Sequence, residues 1–123
     1  MSETQQETAE LHKLLREIAA QPDAPLSVTM YYGKAVGLHL RMRGRDWQYP
    51  IYLPEADLLP GAEWAIAGCL LESLRADGIL ASLEMAGNDW LIPTSVPDAI
   101  GRSARLAIAA ARAWLAAKGE RDA

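Results

Sequence analysis

Apolar residues recur along the chain with a period that switches between helical and extended. Leu11, Leu14, Leu15 and Ile18 fall on one stripe of a 3.6-residue repeat and predict an amphipathic helix over 4–20, with Thr4 and Glu7 spaced as a capping box. "QPDAP" ends it. From residue 26 the period is two. Leu26, Val28, Met30 and Tyr32, then Val36, Leu38, Leu40 and Met42, then Trp47, Tyr49, Ile51 and Leu53 alternate with polar or small residues, the pattern of a three-stranded meander with one buried face. A three-residue loop Gly33-Lys34-Ala35 would set Tyr32 against Val36. A two-residue loop Gly44-Arg45 would pair Arg43 with Asp46 and set Met42 against Trp47. Pro50 has no N–H to donate, so its strand is an edge or is bulged there.

The second half repeats this punctuation. A helix over about 60–76 follows Pro60 and closes at Gly78; "ILASLEMAGNDWLIP" reads as a hairpin; an Ala-rich helix over about 97–118 has Ser95 and Asp98 at its start and Gly119 past its end. The order is αβββαββα, a single α+β domain over 1–123 with helices packed on antiparallel sheet. Residues 36–56 and 79–99 align with eight identities, among them Met42/Met85, Gly44/Gly87, Asp46/Asp89, Trp47/Trp90 and Pro50/Pro93, which suggests a duplicated hairpin-helix unit. Each shared residue suits an architectural part: a tight turn, a cross-strand Met–Trp contact, a helix entrance.

Composition narrows the class without naming a reaction. The 123 residues carry a net charge of -4, and half are apolar, which suits a folded globular chain. The longest apolar run, "WAIAGCLL", is too short to span a membrane, and "MSETQQETAE" lacks the plan of a signal peptide, so a cytoplasmic location is expected. Cys69, the single cysteine, sits within that run and reads as a small buried hydrophobe. His12 and His39 belong to no cluster with metal-ligand spacing, and "GKAVG" joins two strands, so its glycine serves a turn rather than a phosphate cradle. Neither enzymatic activity nor a cofactor is expected.

The outward face of the meander is the more informative surface. In the expected register Tyr31, Gly37 and Tyr52 form one row across it, Thr29, His39 and Pro50 the next, and Ser27, Arg41 and Gln48 the third. Two tyrosines then flank a glycine. Residues 34–45 hold Lys34, Arg41, Arg43 and Arg45 and, up to Arg45, no acid. Tyr31, His39, Arg41, Arg43 and Tyr52 are therefore the candidate partner-binding residues, suited to an acidic protein segment in preference to nucleic acid. Helix 60–76 is apolar on most sides, which makes Ile66 and Leu70 either the centre of the core or the interface of a homodimer. In the last helix Arg102, Arg105 and Arg112 share a narrow face, with Asp98 spaced to pair with Arg102.

The second unit, "LRADGILASLEMAGNDWLIPTSVPDAIGRSARLAIAA", resembles the C-terminal part of small phage proteins described as having an ABA sandwich domain. The order αβββαββα is also similar to that of class I type III secretion chaperones, dimers that hold an effector segment. The first likeness implies a phage or prophage origin, and with the outward sheet face the expected function is that of a non-catalytic protein-binding module, a phage or mobile-element accessory or inhibitor protein acting on a host protein; the second likeness implies a type III secretion chaperone-like dimer binding an effector segment. A nucleic-acid-binding protein is the further alternative.

Overall fold

The computed structural model describes residues 3–41, 48–53, 58 and 60–122. The chain runs α1 (Glu3–Ala19), β1 (Leu26–Tyr31), β2 (Lys34–Arg41), β3 (Gln48–Tyr52), α2 (Pro60–Ala76), β4 (Glu84–Ala86), β5 (Asp89–Pro93), β6 (Ile100–Ser103) and α3 (Leu106–Asp122). This is an α+β fold with two antiparallel sheets, β1-β2-β3 and β4-β5-β6. The expected order is recovered with one strand, β6, added before the last helix.

Helices join the sheets. α1 and α2 pack on the first sheet through β1 and β2, α3 packs on β5 and β6 of the second, and α1 and α2 both pack on α3. Leu11, Leu15 and Ile18 of α1 meet Leu26, Leu38, Leu40 and Ile51 of the sheet in one apolar core. α1 begins before Thr4, so that residue lies in the first turn rather than at a cap.

The first hairpin departs from its expected register. Tyr32 and Gly33 have φ of 49° and 76°, the paired positive values of a two-residue type I′ turn, so the loop is Tyr32-Gly33 and Tyr31 pairs with Lys34. A bulge between Thr29 and Met30 then brings Thr29 opposite Gly37 and Ser27 opposite His39. Those pairs differ from the expected rows by two residues, an even shift that leaves Ser27 and Thr29 on their expected face. Between β2 and β3 the expected pairs are present: Gly37 with Tyr52, His39 with Pro50 and Arg41 with Gln48. The loop Gly44-Arg45 and the pair Met42–Trp47 lie outside the described residues.

In the second half, Met85 does pair with Trp90, but Met85 is 56% exposed and Trp90 only partly buried. The long helix expected from 97 begins at Leu106. Thr94 explains the difference: its hydroxyl donates to the Ala99 carbonyl at 2.8 Å and accepts from the Val96 amide at 3.2 Å, closing a loop that turns the chain back as β6 beside β5. Gly101 is buried where β6 crosses α3. A Cβ there would lie 1.9 Å from the Ala109 carbonyl oxygen, so only glycine lets strand and helix approach this closely. The duplication of a hairpin-helix unit is not reproduced, since a helix follows the first hairpin and a strand the second.

The two later helices also exchange their expected roles. α3 is buried around most of its circumference: Leu106, Ile108, Trp114 and six of its alanines are buried. Alanine's small side chain permits this by letting neighbours approach the helix backbone from several directions. Trp114 satisfies its indole N–H on the Ser73 hydroxyl of α2 at 3.1 Å, and Lys118 reaches Asp77 at 2.6 Å. The expected arginine face is dispersed. Arg102 is on β6 and pairs with Asp89 at 2.8 Å; Arg105 is buried beside Glu63 at 3.5 Å; Arg112 pairs with Glu10 of α1 and donates to the Arg102 carbonyl at 2.6 Å. Among the described residues no helix is long and apolar enough to cross a membrane.

Candidate functional interface

Strand alternation, with one break at the bulge, builds the outer face of the first sheet. Leu26 and Val28 on β1, Leu38 and Leu40 on β2, and Ile51 on β3 turn inward, which leaves Ser27, Thr29, Tyr31, Gly37, His39, Arg41, Pro50 and Tyr52 on the opposite side, joined beyond the bulge by Lys34, the partner of Tyr31. That side is open. Tyr52 is 75% exposed and Tyr31 63%, and Lys34 and Arg41 are exposed as well.

The bulge changes the geometry of the expected aromatic trough. Gly37 lies between Thr29 and Tyr52, not between two tyrosines, and a Cβ on Gly37 would stand 3.5 Å from the Thr29 Cβ. Tyr31 is displaced toward the turn, where it meets Tyr32 edge-on at a centroid distance of 4.4 Å and an interplanar angle of 75°. Tyr32, assigned to the apolar row by its alternation, is instead the most exposed aromatic residue described. The clue was the Tyr32-Gly33 dipeptide, which fits the second and more usual hairpin loop length. Two aromatic points result, the Tyr31–Tyr32 pair at the turn and Tyr52 across Gly37. Lys34 stands beside the first, and His39 and Arg41 continue toward the other end of β2.

The charge on this face has one sign. The strands Leu26–Tyr31, Lys34–Arg41 and Gln48–Tyr52 contain no Asp or Glu, in a protein of net charge -4. Of the five candidate residues, the sheet brings Tyr31, His39, Arg41 and Tyr52 to one face; Arg43 lies outside the described residues. Among the described residues no group of three or more His, Cys, Asp or Glu is arranged to hold a metal ion.

Ile66 and Leu70 lie elsewhere. Both are fully buried within the single chain, on the side of α2 that packs inward, so they belong to the core and are not interface residues. Cys69 is likewise buried, with Sγ 3.5 Å from the Pro25 carbonyl oxygen and 3.8 Å from that of Arg41, and burial pushes its thiol up to about 11. It ties α2 to one end of the first sheet, where the start of β1 and the end of β2 lie side by side.

No protein-family model, curated protein or solved structure matches the chain.

Proposed function

We propose that this chain is a non-catalytic protein-binding module that holds an acidic segment of a partner protein across the outer face of the first sheet. One observation carries the reading: exposed tyrosines and cations share a sheet face whose strands hold no acid. Tyrosine offers large contact area with few rotatable bonds, and tyrosine and arginine commonly dominate interface energetics. A carboxylate-bearing segment laid across the sheet meets Lys34 near the turn and Arg41 at the far end of β2, with Tyr52 between them. The likeness of the second unit to phage ABA sandwich proteins favours a phage or mobile-element origin, in which such a module would serve as an accessory or inhibitor protein.

Selection from a random peptide display library on the immobilised chain tests this reading. Acidic sequences should be enriched, and Tyr31→Ala, Tyr52→Ala or Arg41→Ala should each weaken the selected peptides by about 2 kcal/mol while moving stability by less than about 0.5 kcal/mol. Arg16→Ala, a cation exposed on α1, is the control. A selection that yields no acidic consensus, or peptides indifferent to the three sheet variants, refutes the site. Enrichment of single-stranded oligonucleotides with steep salt dependence, in place of peptides, would replace it with nucleic-acid binding.

A further inference from the structure

The side of α2 opposite Ile66 and Leu70 is uncovered. Its stripe runs through Gly61, Trp64, Gly68, Leu71 and Arg75, at the three- and four-residue steps of one helix face. Trp64 is 52% exposed and meets the Trp90 ring edge-on at a centroid distance of 5.6 Å. Toward the other end of the stripe, where the chain turns back after α2, Gly68, Leu71, Arg75 and Leu80 help line an open cavity of about 310 Å³. Leu80, on its rim, is 71% exposed. A projecting indole and a hollow therefore occupy one surface, on either side of Gly68.

We propose that this surface is the interface of a symmetric dimer of the chain, in which Trp64 of each copy fills the cavity of the other. A two-fold axis through Gly68 sets two α2 helices antiparallel and places each residue opposite the one equally far on the other side of 68. Trp64, four residues before the axis, then meets the level of Glu72, four residues after it, among Leu71, Arg75 and Leu80. The match occurs twice, as two-fold symmetry requires. Knob and hole lie about 6 Å along the helix on either side of the axis at 1.5 Å per residue, so one operation seats both.

The axis itself is clear. A Cβ on Gly68 would meet nothing within 4 Å, so two helices can approach closely there. Glu72 offers a carboxylate to the incoming indole N–H, and Arg75 a cation to its ring; these two side chains pair with each other at 3.2 Å on the exposed surface. Stable complexes typically bury roughly 800 Å² per partner, so in this dimer each α2, about 25 Å long, is joined in the contact by its 79–85 segment. A second copy is the occupant because projection and recess are complementary on the same face. An unrelated partner would need only one of them.

Sedimentation and light scattering on the full chain test the dimer. The wild type should be a dimer at micromolar concentration, and Leu80→Asp and Trp64→Ala should each dissociate it at least about tenfold more readily. Gly68→Cys provides a second readout that does not depend on the Trp64–Trp90 contact. Under mild oxidation it should link two copies through residue 68, because the axis brings that residue against its own mate, whereas Tyr32→Cys on the exposed turn should not. A wild type that stays monomeric at micromolar concentration, or Gly68→Cys linking no faster than Tyr32→Cys, overturns the proposal.

Discussion

Gly101 rests on the backbone of Ala109. The place where its Cβ would stand is 1.9 Å from the Ala109 carbonyl oxygen and 2.9 Å from the Ala113 Cβ, so β6 and α3 meet through main chain. Gly101→Ala must push the strand off the helix, and the expected cost is about 3 kcal/mol or more, read as a lower midpoint in denaturant melts. Gly119→Ala, where nothing lies within 4 Å, is the contrasting variant and should be close to neutral.

Glu63 joins α2 to the beginning of α3. Its carboxylate accepts from the Ala107 amide at 3.2 Å and lies 3.5 Å from the Arg105 guanidinium, while the Ser103 hydroxyl accepts from the Arg105 amide at 3.1 Å. A negative charge at a helix N-terminus is favourable, and a charged acceptor is stronger than a neutral one. Glu63→Ala should lower stability by about 2 kcal/mol, and Glu63→Gln, which keeps an oxygen for the amide, by about half as much. Equal losses in the two variants would remove the capping role.

Ile66 and Leu70 separate core from interface. Because both are fully buried in one chain, Ile66→Glu and Leu70→Glu should each remove about 4 to 5 kcal/mol and abolish the cooperative thermal transition. A folded monomer from either variant would contradict their place in the core.

Cys69 supplies a pH dependence whose sign can be worked out. Burial raises the thiol from 9.0 to about 11, so the folded chain keeps a proton that the unfolded chain releases. Its contribution to stability is complete below about pH 9 and is lost as pH rises through about 11, a fall of at most about 2 to 3 kcal/mol. Cys69→Ala should flatten that part of the stability profile. In the wild type, a thiol reagent at pH 8 should modify Cys69 at the rate of global or local unfolding, and at once in denaturant.

The elements most legible in the sequence were those governed by local rules. The stripe of Leu11, Leu15 and Ile18 located α1; Pro60 and Gly78 bracketed α2; alternation placed Tyr31, His39, Arg41 and Tyr52 on one sheet face. What escaped depended on contacts distant in sequence. "IGRS" has no strong strand character, and it pairs because the Thr94 loop returns it to β5 and Gly101 admits α3. Alanine is apolar but small, so the low amphipathicity of α3 concealed how much of it is enclosed. Helix 60–76, with larger apolar residues, read as the more buried one, although Trp64 projects from it. Among the candidate binding residues, face was legible and row was not, because alternation fixes side and only turn and bulge fix register.

The central place of α3 sets the timing of folding during synthesis. α1, α2, β5 and β6 all bury apolar surface against a helix that is translated after them. Until residues 106–118 clear the ribosome, α1, α2, β5 and β6 lack the helix they pack on, and a loosely collapsed nascent chain with exposed apolar surface is expected. Closure is therefore expected late and all at once, and a ribosome stalled before Leu106 should display a protease-sensitive nascent chain, whereas release of α3 from the exit tunnel should confer resistance in a single step.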